Sequence, residues 1–259
     1  MKKNKLNVIF SWRLILVVVL LILGSITFYK VLHPYYKLKD RTTEVEKFKG
    51  IKKEKALGWL RVQGTNIDFP IVYYHDSDIS DPTNELGWSF VNKNTLQQKT
   101  TIFSHNILNV SSNPLIANKN HKRFEQLLSF IYLDFVKENK YIEYTTGGKN
   151  YLFKIYGVSF QKEEKLVYKK AKLSTKEMKD YINYTKENSY FDFDVDVNNK
   201  DKLITLVTCT RFFGQTTDYS FVVDARMVRD NEIISNYKVK EKKNYQRIKK
   251  LMKGDADNV

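Results

Sequence analysis

What most limits the fold of this chain is a series of short β-branched and aromatic segments separated by turn residues. Trp59-Leu60-Arg61-Val62 and the run 67–74 flank Gly64-Thr65-Asn66, a turn signal. Similar pieces recur at 88–91, 100–103, 141–144, 149–160, 203–209 and 220–228. Many short strands with few helices between them predict a mostly β domain, a barrel or a sandwich. Two helices are expected within the series. One is short, at Phe124-Glu125-Gln126-Leu127-Leu128. The other covers 174–188, where Ser174 and Glu177 form a capping box ahead of Met178, Tyr181 and Ile182 at helical spacing.

The N-terminus has a different texture. Lys2, Lys3 and Lys5 precede an apolar stretch interrupted by Arg13, and the uninterrupted run 14–29 is 16 residues long. That is short of the roughly 20 needed to span a bilayer. Adding residues 6–12, with Arg13 reaching toward the headgroups, makes a transmembrane helix with the N-terminus inside. No good small-residue cleavage site follows Gly24-Ser25, so an uncleaved anchor is favoured over a signal peptide. The expected organisation is a cytoplasmic stub and anchor over 1–30 and a helical juxtamembrane segment over 31–57. A catalytic β domain over 58–230 and a basic, solvated tail over 231–259 complete it.

The formal net charge of +15 admits nucleic acid, an anionic membrane or another polyanion as partner. No zinc-finger spacing and no RNA-binding aromatic pattern accompany it, so nucleic acid is not expected. With four histidines and one cysteine far apart, and no carboxylate cluster, neither a metal nor another cofactor is indicated.

The single cysteine excludes an intrachain disulfide. Cys209 closes the strand segment Leu203-Ile204-Thr205-Leu206-Val207-Thr208, and a loop through Gly214 follows. A thiol at a strand end beside a loop has a rigid base and an open approach, which suits a nucleophile; burial in the core is the equal alternative on spacing alone. Ser104-His105-Asn106 follows a second strand end, Ile102-Phe103. An imidazole beside a thiol favours the attacking thiolate, and such partners are usually remote in sequence.

These segments resemble a known family. Thr205-Leu206-Val207-Thr208-Cys209-Thr210 resembles the active-site cysteine motif of sortases, and Ser104-His105-Asn106 their histidine loop. Gly58-Trp59-Leu60 with 65–72, Phe124-x-x-Leu127 and the long helix before the cysteine strand resemble class B. The resemblance covers 58–228. It implies an eight-stranded sortase-type β-barrel and a membrane-anchored cysteine transpeptidase, with its domain outside the cell. Cys209 would attack the threonine carbonyl of a Leu-Pro-x-Thr-Gly-like sorting signal on a surface protein or pilin. The acyl group would then pass to an amine of a wall precursor or a pilin lysine. His105 would serve as general acid and then base. Sortases also carry an arginine at the start of the strand after the cysteine, and here Ser220 falls at that place. Arg226 is about 20 Å further along at strand rise, too far to replace it. Arg211, two residues past Cys209, is the candidate substitute. Ser220 also keeps alive a catalytically impaired sortase-fold protein that only binds sorting signals.

Overall fold

The computed structural model describes residues 3–27, 55–75, 81, 83–116, 118–162, 164, 170–214, 218–234 and 236–254. The expected juxtamembrane helices lie almost entirely outside them. The chain divides into two units, residues 1–38 with 232–236 and the remainder. In the first, α1 spans Lys3–Thr27. Its apolar side chains from Leu14 to Leu23 are exposed. Among the described residues no helix is long and apolar enough to cross a membrane. The uncharged part of α1 follows Arg13 and covers about 21 Å, against roughly 30 Å of hydrocarbon. The described helix therefore does not by itself support the expected anchor.

The second unit is built on eight strands: β1 (Ala56–Val62), β2 (Asp68–Tyr73), β3 (Gly87–Ser89), β4 (Lys99–Phe103), β5 (Tyr141–Thr146), β6 (Lys149–Lys162), β8 (Leu203–Cys209) and β9 (Tyr219–Met227). They close into a barrel in the order β1-β2-β3-β4-β8-β9-β6-β5, as the resemblance implied. The β2–β3 and β4–β8 pairs are parallel; the others are antiparallel. Alternation along the strands sorts the side chains. Ile204 and Leu206 join Ile102, Val223 and Ala225 in the main core, while Val207 packs with Trp88, Phe103 and Val222 in a second cluster. Gly58 is required by close approach, because a Cβ there would lie 2.5 Å from the Thr145 carbonyl oxygen.

The helices fit their sequence signals. Phe124–Ile131 is a fully buried 3-10 helix leading into α2 (Leu133–Glu138). In α3 (Thr175–Asn188), Glu177 N–H donates to Ser174 Oγ at 3.2 Å and Ser174 N–H to Glu177 Oε2 at 2.8 Å, the expected capping box. Gly157 lets α3 close on the sheet, since a Cβ there would meet Thr185 Cγ2 at 2.3 Å.

The basic C-terminal stretch differs from expectation. It pairs β10 (Val239–Glu241) with β7 (Phe191–Phe193) and then forms α4 (Tyr245–Met252). Tyr237, Val239, Tyr245 and Ile248 are buried in the main core, and Tyr245 Oη donates to the Ile131 carbonyl at 2.7 Å. A few apolar residues among many lysines suffice to dock it, because the lysines stay on the solvent side.

Candidate active site

β4 and β8 run in parallel with Phe103 beside Val207. One step further, Ser104 N–H donates to the Val207 carbonyl at 3.4 Å and Thr208 Oγ1 donates to the Ser104 carbonyl at 2.7 Å. Just beyond these ties stand His105, in the loop that leaves β4, and Cys209, the last residue of β8. Asn106 closes the junction: its Nδ2 donates to the Cys209 carbonyl at 3.1 Å and to that of Asn109 at 2.8 Å. Its Oδ1 accepts from Asn109 N–H at 3.0 Å. The Cys209 thiol lies at the exposed end of its strand. Of the two readings made from the sequence, burial of Cys209 in the core falls.

His105 is half-buried, its ring edge against Trp88 with centroids 4.9 Å apart. Burial pushes its pKa below the ordinary value. The Asp81 main-chain carbonyl opposes this, the Arg123 guanidinium adds to it, and the Glu125 and Asp81 carboxylates partly restore it. His105 Nε2 is buried and has no hydrogen-bond partner among the described residues. The imidazole is therefore mainly neutral near pH 7, with a nitrogen uncommitted to the protein.

Arg123 and Glu125 flank Phe124, whose N–H donates to the His105 carbonyl at 3.0 Å. Glu125 is fully buried and accepts from Arg123 N–H at 2.9 Å, Arg123 Nε at 3.1 Å and Ile107 N–H at 3.2 Å. Burial would raise its pKa, but those N–H donors and the guanidinium outweigh it and hold the carboxyl below its usual value. Sequence reading passed over this pair, and gave Asn106 no role beyond its place in the histidine motif. The visible signal was two opposite charges, two residues apart, opening the helix after the histidine loop.

Cys209 pairs with Ser220 on β9, so the serine that stands where the resemblance expects an arginine is buried directly opposite the thiol. Arg226 lies opposite Leu203 at the far end of β8, and its Nε donates to the Asp196 carbonyl at 3.1 Å. It is excluded from the site, as expected. Arg211 is exposed on a turn closed by Gly214 N–H donating to its carbonyl at 3.0 Å. Its guanidinium makes no hydrogen bond or ion pair among the described residues. Among those residues no group of metal-ligating side chains forms a site.

An accessible thiol at the end of β8 and an imidazole in the adjoining β4 loop, joined through Asn106, are equipped for acyl transfer. Residues 60–228 match the family profile described as the Sortase domain. The chain is 26% identical over 184 residues to Sortase B of Listeria monocytogenes, covering 67% of this chain and 68% of that protein. Its fold is similar to Clostridium perfringens sortase B, with TM-score 0.54 and 24% identity, covering 68% of this chain and 95% of that one. It is similar also to the Staphylococcus aureus sortase B–substrate complex, with TM-score 0.56 and 20% identity, covering 77% and 91%. The chain belongs to the sortase family, as a class B sortase and a cysteine transpeptidase.

Proposed function

We propose that this chain cleaves a sorting signal of the Leu-Pro-x-Thr-Gly kind, or a variant of it, through a thioester on Cys209. The acyl group then passes to a primary amine of a wall precursor or a pilin lysine. The observation that carries this is the exposed Cys209 at the end of β8, beside the loop that leaves its parallel neighbour β4 and carries the half-buried His105. Neutral His105 takes the Cys209 thiol proton, and the resulting thiolate attacks the threonine carbonyl carbon. As the C–N bond breaks, the imidazolium of His105 gives its proton to the departing amine, leaving a thioester and neutral His105. The incoming amine attacks that thioester and loses a proton to His105, and the Cys209 thiolate leaves as the new amide forms. Atoms and charges balance without a further co-reactant.

Arg211 is the candidate to stabilise the oxyanion, because its exposed guanidinium lies two residues past the nucleophile. The domain is held at the outer face of the cell membrane by the N-terminal segment. The lysines at the N-terminal end of the chain favour an inside N-terminus, and residues 6–12 of α1 with a snorkelling Arg13 add to the length of the apolar run after Arg13.

The test is cleavage of a fluorogenic panel of Leu-Pro-x-Thr-Gly peptides and variants, with and without triglycine. Appearance of the transfer product, abolished in Cys209→Ala and His105→Ala, supports the reading; a chain that cleaves none of the panel contradicts it. Arg211→Ala should cost about 10²- to 10³-fold in kcat, and an unchanged rate removes Arg211 from the site.

A further inference from the structure

We propose that Gln161 is a peptide-binding residue of this site. Its carboxamide accepts a hydrogen bond from a main-chain N–H of the bound sorting peptide, about three residues upstream of the scissile bond. This rests on the transpeptidase reading above and adds the path of the acyl half of the substrate.

The register places the group. Cys209 is opposite Ser220 on β9, and Ser220 is opposite Gln161 on β6. Directly opposed residues point to the same face of a sheet. Cys209, Ser220 and Gln161 therefore form one row across β8, β9 and β6, and the His105 loop leaves β4 on the other side of Cys209. A bulge in β6 between Ile155 and Gly157 sets this parity. Beyond it Val158 and Phe160 enter the main core, and Ser159 and Gln161 turn to the face that carries the thiol.

The carboxamide is held at one end only. Gln161 Nε2 donates to Ser159 Oγ at 3.0 Å, while its Oε1 is buried without a hydrogen-bond partner among the described residues. The residue is 1% exposed, so bulk solvent does not reach that oxygen. Buried acceptors are rarely left empty in a folded protein, and beside a nucleophilic thiol a peptide donor accounts for this one. The terminal torsion of glutamine is broad, so the carboxamide can turn toward an arriving donor.

The chemistry sets the direction of the peptide. The departing amine must lie on the His105 side of Cys209, because His105 protonates it. The acyl half then runs to the opposite side, over Ser220 toward Gln161. Two strand spacings are about 10 Å, and an extended peptide covers that in three residues at about 3.4 Å each. The acceptor is thus level with the first residue of a four-residue motif ending in threonine.

The experiment compares the full-length chain with Gln161→Met, which keeps the length but loses the acceptor, and Gln161→Glu, which keeps an oxygen. Each is assayed on the cleaved sorting peptide and on a series N-methylated at one upstream position at a time. Gln161→Met should lose about tenfold in kcat/KM, mainly through KM, while iodoacetamide alkylates Cys209 at the wild-type rate. Gln161→Glu should recover most of the loss. One N-methylated peptide should cost the wild type a similar factor and cost Gln161→Met nothing further. An unchanged kcat/KM in Gln161→Met, or penalties that simply multiply at every position, overturns the proposal. If Gln161→Met does not fold, the wild-type series decides, and no upstream N-methyl group costing more than twofold overturns it. If the wild type cleaves nothing, the transpeptidase reading fails separately. Fluorescence anisotropy of the same peptides on wild type and Gln161→Met then settles Gln161, with equal affinity or no binding counting against it.

Discussion

Asp224 and His105 lie near opposite ends of one barrel face, in contrasting conditions. Under α3, the buried Asp224 carboxylate accepts from Tyr181 Oη at 2.6 Å, Thr205 Oγ1 at 2.7 Å and Thr185 Oγ1 at 3.4 Å. On the same face Lys99 Nζ donates to Thr101 Oγ1 at 2.6 Å and sits 4.7 Å from the centre of the Tyr181 ring. Two rows along, beside Cys209, His105 Nε2 and Gln161 Oε1 are buried with no partner. The strands and the alternation are shared; the Asp224 carboxylate has its three donors, whereas the two atoms beside the thiol have none among the described residues. A satisfied buried network specifies structure, whereas unsatisfied atoms around an exposed thiol are reserved for a ligand.

The largest effects should separate the two ends. Cys209→Ala should abolish peptide cleavage, and His105→Ala should reduce it by about 10²- to 10⁴-fold. Because Cys209 is exposed, its removal should change stability by no more than about 0.5 kcal/mol in denaturant titration. Asp224→Asn should do the reverse. It weakens the hydrogen bonds that Tyr181, Thr205 and Thr185 donate to the buried carboxylate and should cost about 1–3 kcal/mol, while activity per folded molecule stays within about twofold. Equal damage to stability and activity from either change would erase the distinction.

Asn106→Ala tests the joint between strand and loop. Cutting the tie to the Cys209 carbonyl should cost about 1–3 kcal/mol and lower kcat about tenfold. Loss of stability alone would make Asn106 a purely structural latch.

The smallest effects are in pH. Burial pushes Lys99 down to about 8, with Asp224 partly opposing the shift. Between that value and the ordinary lysine pKa the unfolded chain binds more protons, so stability should rise with pH there and be lost as pH falls through about 8. Lys99→Met should flatten that rise in thermal melts. At the other end, His105 titrates below its ordinary value, so the limb of the kcat/KM profile that needs imidazolium should lie at correspondingly low pH. Glu125→Gln removes a charge that favours imidazolium, so that limb should move further down; a move upward would remove Glu125 from the electrostatics of His105.

Much of this was legible in the sequence because period and caps are local. Leu203–Cys209 is a strand as read, and Ser174 with Glu177 opens α3 as read. Three features were hidden because they depend on long-range register. Lys99 and Asp224 read as ordinary charges until β4, β8 and β9 bring them under α3. Gln161 reads as the end of a strand until the bulge before Gly157 turns it to the thiol face. The docked C-terminus escaped because its lysines outnumber the few apolar residues that face the core. Arg211 was chosen for nearness in sequence, and the nearer electrostatic neighbours of His105 are Arg123 and Glu125.

The most direct test of the central claim is intact-protein mass spectrometry of the full-length chain mixed with sorting peptide, before and after triglycine is added. The account predicts an adduct of the acyl half on Cys209, absent from Cys209→Ala, that disappears with triglycine as the peptide–triglycine amide forms. A Cys209 that iodoacetamide alkylates readily but that no sorting peptide acylates would contradict it.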